Sequence, residues 1–349
     1  MPERYVYGSL TRISNLDTTP FFVQPLKKSN WETGDYIVGK FIPSDNPIHE
    51  EVETTTGRLR QLMSGDLLVG ALGVRKATKE NVGDWHLIGK DGKMQDICGS
   101  GMFGVETDYS KSYGPSAHFV YQGHVLREGT KVCMKDFVPK VKPKKYSSPT
   151  ILIIGTSMSC GKTTAARVII RQLKNIGINK VVGTKLTGAG FLNDKLNMED
   201  AGADVVYDFV DAGLPSTILP AKEYKQSLHK LLSVISSESP DVVVAEAGAS
   251  PCEDYNGDVV LEAMKGIQAS TSNLLTILCA SDPYAAMGAT KMLEKAGIRP
   301  DLVTGYVTST SAGLELVRGV CDVPAITFNS EEGMTELTKL LTDLFGNRC

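Results

Sequence analysis

The ten residues GTSMSCGKTT, positions 155–164, constrain this chain more than any other feature. They follow Thr150–Ile154, a short continuous apolar run of the kind that makes a strand buried on both faces. They open Lys162–Ile176, where apolar residues at 165, 168, 169, 173 and 176 repeat at helical spacing and Gly177 ends the run. Strand, glycine-bounded loop and helix in that order make a phosphate-binding loop. Successive backbone N–H groups and the helix N-terminus present partial positive charge to an anion.

The candidate phosphate-binding residues are Gly155, Thr156, Ser157, Met158, Ser159, Cys160, Gly161, Lys162, Thr163 and Thr164. Gly161 has no Cβ and lets the backbone approach a phosphate closely. Lys162 is placed to reach β- and γ-phosphate oxygens, and the Thr163 hydroxyl to sit on Mg²⁺. The expected ligands are therefore ATP, or another nucleotide, and Mg²⁺. The spacing departs from the common pattern: five residues separate Gly155 from Gly161 instead of four, and Thr156 stands where a glycine is usual.

Downstream of Pro149 the alternation continues. Strand candidates are Lys180–Gly183, Ser216–Leu219, Asp241–Glu246, Asn273–Cys279, Leu302–Val307 and Pro324–Phe328. Helix candidates are Tyr224–Ser236, Tyr284–Ala296, Ala312–Val317 and Glu331–Leu344. Such alternation predicts an α/β fold, a P-loop parallel sheet with helices on both faces.

Upstream the texture differs. Tyr36–Ile42, Asp66–Val74, Trp85–Ile88, Ala117–Leu126 and Lys131–Val138 are rich in β-branched and aromatic residues, with turn signals between them; only Gly57–Met63 suggests a helix. With 349 residues the chain exceeds one comfortable core. The expected organisation is a β-rich domain, a small barrel or sandwich, over residues 1–145, then the P-loop α/β domain over 146–349. KVKPKKYSSP, residues 140–149, reads as a solvated linker. The glycine-rich GSGMFG, residues 99–104, lacks a strand–loop–helix setting and reads as a turn or bulge.

A formal charge of −3 gives no reason to expect a nucleic-acid partner. No run reaches about 18 apolar residues, and MPERYVYGSL lacks the apolar core of a signal peptide. Seven cysteines without a C-x-x-C pair read as free thiols. These features together predict a cytoplasmic protein without a membrane partner, and leave self-association open.

Several residues downstream of the loop belong to the same chemistry. Glu246 ends an apolar strand, where a carboxylate can hold Mg²⁺ directly or through water. Asp204 and Asp208, four apart and on one face of a helix if MEDAGADVVYDFVDAG is helical, are candidates for a second metal ligand. Lys185 follows the second strand, where it can neutralise an anionic substrate or developing charge. Cys160 reads as a small residue that fits the loop; Cys252 and the histidines have no evident catalytic partner.

Two resemblances run through these residues, over roughly 150–330. GTSMSCGKTT resembles the loop of dethiobiotin synthetase, which has the same one-residue displacement; TKLTGAG, residues 184–190, and DVVVAEAGAS, residues 241–250, resemble further segments of that enzyme. Leu186 and Ala247 depart from its pattern. The loop, TKLTGAG, YDFVDAG (207–213) and EAGAS also resemble a P-loop family that includes D-glutamate N-acetyltransferase. The first resemblance implies that Lys185 lies near a reacting carboxylate and phosphate, and that an aspartate joins the metal. Together they imply a Mg-nucleotide-dependent enzyme that activates a small carboxylate-bearing metabolite for ligation. The alternatives are a nucleotide-dependent regulatory or assembly protein, and an N-acyltransferase of the D-glutamate N-acetyltransferase type. No guanine-reading Asn/Thr-Lys-x-Asp motif is present, and the segment after the late strand, TGYVTST, leaves ATP against GTP open.

Overall fold

The computed structural model describes residues 5–44, 49–271 and 274–346. They divide into two compact units. One comprises Met1–Lys140, Ala189–Asn193 and Phe209–Ile218; the other comprises Val141–Gly188, Asp194–Asp208 and Leu219–Cys349. The division is therefore not a single cut near residue 145. Two short downstream segments join the first unit because their polar groups find partners there. The Leu192 and Asn193 N–H groups donate to the Glu53 carboxylate at 2.6 and 2.8 Å, and the Ser216 hydroxyl donates to the Val74 carbonyl at 2.6 Å.

The first unit is β-rich. Leu67–Leu72, Tyr36–Ile42, His118–Arg127, Lys93–Asp96 and Met102–Tyr109 pair in that order, and the last pairs back onto the first, closing a five-strand barrel. Inward residues such as Ile37, Phe41, Leu68, Met94, Phe103 and Phe119 fill it, as expected for a small barrel packed with side chains. Gly57–Met63 is not helical: Leu59–Gln61 pairs antiparallel with Glu51–Glu53. Trp85–Leu87 is a 3-10 turn, because the Asp84 carboxylate accepts the His86 N–H and caps it. Residues 98–102 wrap the buried Asp96 carboxylate, which accepts four backbone N–H bonds from Cys98, Gly99, Gly101 and Met102. The glycine-rich run thus wraps a carboxyl group of the chain itself.

The second unit is a parallel sheet. Its strands are β1 (Thr150–Gly155), β2 (Val181–Thr187), β3 (Val205–Asp208), β4 (Val242–Ala247), β5 (Leu274–Cys279) and β6 (Leu302–Thr304). They lie in the order β3-β2-β4-β1-β5-β6, every pair parallel. Helices α1 (Lys162–Asn175), α2 (Leu192–Asp200), α3 (Ala221–Ser237), α4 (Gly257–Thr271), α5 (Pro283–Lys295), α6 (Ser311–Val320) and α7 (Glu331–Phe345) flank it. Alternate β1 residues Ile151 and Ile153 join the core beneath α1 and α7, while Leu152 is buried on the opposite face.

Two strand candidates shrink to single bridges, Ala189 to Ser216 and Val303 to Ala325. Pro215 and Pro220 bracket the first, and a proline cannot donate to a ladder. Asn273 lies outside the described residues. The 140–149 segment is not a free linker: Tyr146 is buried, and the Lys144 ammonium donates to the Ser236 carbonyl at the end of α3 at 3.0 Å. The six cysteines among the described residues are free; Cys349 lies outside them. No helix of the described residues is long and apolar enough to cross a membrane.

Candidate functional site

β1 ends at Gly155 and α1 begins at Lys162, so the intervening loop opens at the carboxyl edge of the sheet. The loop is tied down on two sides. The Thr156 N–H donates to the Cys279 carbonyl at the end of β5 at 3.0 Å, and the Thr156 hydroxyl accepts from the Ser281 N–H at 3.3 Å. On the other side the Tyr306 N–H donates to the Cys160 carbonyl at 3.1 Å. Gly161 caps α1 with φ 104°, a left-handed conformation that favours glycine. Cys160 is buried in the core beneath the loop.

Lys162 is buried and folds back over its own loop. Its ammonium donates to the Ser157 carbonyl at 2.8 Å. A Cβ on Gly155 would lie 2.5 Å from the lysine's Cδ, so the first glycine makes room for the lysine stem. With the loop between a central parallel strand and its helix, the architecture is settled. The fold is a parallel α/β sheet with a P-loop-like strand–loop–helix at its centre.

Beside this P-loop lies a row of charged residues. Asp208 of β3 is in register with Lys185 of β2, and Lys185 with Glu246 of β4. In-register neighbours emerge on the same face, which brings three charges from three strands together. The Lys185 ammonium also forms an ion pair with Asp194 of α2. Burial opposes its charge, but Asp194, Glu246 and Asp208 outweigh that and hold its pKa above the ordinary lysine value. Two glycines shape the space around it: a Cβ on Gly248 would lie 2.6 Å from Lys185 Cε, and one on Gly188 3.1 Å from the same atom.

Glu246 is 3% exposed. Burial pushes its pKa up, Asp194 adds to the rise, and Lys185, Lys162 and a hydrogen bond from the Thr163 hydroxyl oppose it. Its Oε2 has no hydrogen-bond partner among the described residues. The structure thus brings Lys162, Thr163, Lys185, Asp208 and Glu246 together, and adds Asp194.

Asp204 is the exception. Val205–Asp208 is a strand rather than a helix, because Val205, Val206 and Tyr207 favour the pleated surface. Asp204 therefore lies at the opposite, amino edge of the sheet. There it accepts the Val181 N–H at 2.7 Å and pairs with Lys174 at 3.0 Å. It is not part of the P-loop site. Asp194 takes its place as the second acid near Glu246. The sequence signal for Asp194 was its position in the first turn of a helix that closely follows Lys185, and it becomes legible only once that helix is recognised.

The donor set fits magnesium. Among the described residues no group of three or more His, Cys, Asp or Glu side chains could hold a metal ion. Mg²⁺ needs none: it keeps waters and takes one or two carboxylates with substrate phosphate oxygens. A hydroxyl at Thr163 and an unsatisfied, buried carboxylate oxygen on Glu246 supply that kind of partial shell.

No family model matches this chain, and no curated protein matches it. Among solved structures it is similar to chloroplast FtsY from Physcomitrella patens, at 12% identity over 59% of this chain and 70% of that one, with a TM-score of 0.34. It is also similar to the signal recognition particle receptor FtsY from Elizabethkingia anophelis, at 16% identity over 60% and 67%, with a TM-score of 0.36. Likeness at this level says nothing of ligand or activity.

Proposed function

We propose that this protein is a magnesium- and nucleotide-dependent enzyme that phosphorylates the carboxylate of a small metabolite, activating it for ligation. The observation that carries the reading is the pairing of two lysines at one sheet edge, Lys162 buried and Lys185 mostly so. Lys162 belongs to the phosphate loop, and Lys185 faces it across Glu246, which feels both charges. A nucleotide alone requires the first lysine. The second, already holding the Asp194 carboxylate, is suited to a carboxylate from outside.

In this reading Lys162 and the loop N–H groups bind the β- and γ-phosphates. Thr163 and Glu246 hold the metal, which when bound neutralises phosphate charge. Lys185 orients the substrate carboxylate in place of Asp194, and Gly188 and Gly248 leave room for that exchange. The substrate oxygen attacks the γ-phosphorus, the bond to the leaving nucleoside diphosphate breaks, and an acyl phosphate results. The resemblance of residues 150–330 to dethiobiotin synthetase favours this chemistry over a pure switch.

The test is phosphate release from ATP and GTP with and without a panel of amino and dicarboxylic acids. Stimulation by one acid, lost when Lys185 becomes methionine, is the expected result. Slow release indifferent to every acid, with a nucleotide-dependent change in solution scattering, would sink the reading and favour a regulatory protein.

A further inference from the structure

We propose that Glu53 is a positioning residue that holds Asp194 against Lys185, so that the start of α2 is a latch an incoming carboxylate must open. The inference rests on the reading above that Lys185 receives a substrate carboxylate, and adds what sets the resistance to that exchange.

α2 has little of its own to begin on. It spans nine residues, Leu192–Asp200, and a helix that short is marginal without outside contacts. The residue before it is Phe191, whose ring offers no oxygen to the first N–H groups. Glu53 supplies the oxygens instead. Its Oε2 accepts the Leu192 N–H at 2.6 Å and its Oε1 the Asn193 N–H at 2.8 Å. A carboxylate there also suits the positive end of the helix. Asp194 is the next residue of the same turn, and its carboxylate takes the Lys185 ammonium.

Glu53 is itself fixed. It is 1% exposed, and its Oε2 also accepts the Ser9 hydroxyl. Its N–H donates to the Gly99 carbonyl at 2.8 Å, and its strand, Glu51–Glu53, pairs with Leu59–Gln61. Burial pushes its pKa up, and the hydrogen bonds from Ser9, Leu192 and Asn193 oppose the rise. The chain leading into α2 is held as well. The Gly190 N–H donates to the Pro215 carbonyl at 2.9 Å, and a Cβ on Gly190 would lie 2.5 Å from Leu10 Cδ2. Glu53, Ser9, Leu10, Pro215 and residues 189–193 all belong to one compact unit.

Lys185 and Asp194 are nine residues apart, at the two ends of this fastened stretch. Asp194 leaves the ammonium most readily when the first turn of α2 frays, as helix ends do. Two charge-assisted hydrogen bonds to Glu53 oppose that fraying. The residue that starts the helix therefore sets how readily Lys185 becomes free for another carboxylate.

Acetylation of the full chain by acetic anhydride at mildly alkaline pH tests this without substrate, read at each lysine by mass spectrometry against the exposed Lys93. We expect Glu53→Gln to raise labelling of Lys185 by about ten-fold, the worth of one charge-assisted hydrogen bond, and to leave Lys162 at its wild-type level. Asp194→Asn raises Lys185 labelling by itself. In that background Glu53→Gln adds nothing, since no carboxylate is left to hold in place. Glu53→Asp, a carboxylate one methylene shorter, produces a smaller rise and serves if Glu53→Gln does not fold. Wild-type labelling of Lys185 in both Glu53 variants overturns the inference. So does an equal rise at Lys162, or full additivity with Asp194→Asn, either of which makes Glu53 a general support for the fold. A released Lys185 in a chain whose phosphate release no acid stimulates keeps the latch and overturns the proposed function alone.

Discussion

Lys185 and Glu246 stand side by side in register on adjacent parallel strands, 61 residues apart in sequence, at the carboxyl edge of the sheet, Glu246 buried and the Lys185 side chain 12% exposed. A lysine there with one carboxylate neighbour would be an ordinary buried pair. With Asp194 bonded to it and Asp208 on its other side, the ammonium is surrounded by acids. Neutralising a lysine so surrounded and removing an acid so exposed to other acids have opposite consequences.

Lys185→Ala is expected to destabilise the protein by roughly 3–5 kcal/mol at neutral pH, the usual cost of stranding buried charge. The raised lysine pKa sets the pH dependence. Lys185 contributes its full stability below 10.5, its unfolded value, and loses it as pH rises through the higher folded value. Urea unfolding at pH 7 and above 10.5 checks the sign, and Asp194→Asn in the same background should recover part of the loss. A Lys185→Ala protein as stable as wild type would show that the charge row is not formed.

Glu246→Gln should do the reverse without ligand, raising stability by about 1–3 kcal/mol, because a buried, half-satisfied carboxylate becomes neutral. The raised acid pKa means the wild-type penalty is absent below 4.5 and grows as pH climbs to the folded value. The gain should therefore be larger at pH 8 than at pH 4. The same variant should lose magnesium dependence of nucleotide binding, whereas Asp204→Asn, on the opposite sheet edge, should keep a wild-type magnesium titration and change stability by at most about 1 kcal/mol.

Lys162→Ala is expected to weaken Mg-ATP binding by about ten- to hundred-fold, the loss of charge-assisted hydrogen bonds. The fold should survive, since the ammonium bonds within its own loop, to the Ser157 carbonyl at 2.8 Å and the Cys160 sulfur at 3.8 Å. Calorimetry beside a thermal melt measures both. Unchanged affinity in a folded variant would remove the phosphate-loop reading.

Gly305→Ala tests the fastening of the loop. The new Cβ meets the Cys160 carbonyl in a left-handed backbone, which alone costs about 1–2 kcal/mol. Tripolyphosphate and nucleotide affinity should fall together. Retained affinity for both would show that the loop does not depend on the turn after β6.

The phosphate loop was legible in the sequence because its parts are contiguous. A strand, a loop and a helix within about thirty residues placed Lys162 and Thr163, and the apolar run ending at Glu246 placed that acid at a strand end. Even the displaced first glycine was visible, although its reason was not: only folding brings the Lys162 stem against Gly155. Asp204 and Asp208 could not be separated by spacing, because four residues mean one face on a helix and two ends of a short strand. The strand won through Val205, Val206 and Tyr207, and it sent the two acids to opposite edges of the sheet. The membership of Ala189–Asn193 and Phe209–Ile218 in the barrel unit was equally hidden, since it depends on Glu53 and Val74, more than a hundred residues upstream. Local order along the chain determined which residues could bind phosphate. The register of β2, β3 and β4 decided which charges stand beside it and the turn after β6 what fastens it, because such pairings depend on contacts that no local run of sequence contains.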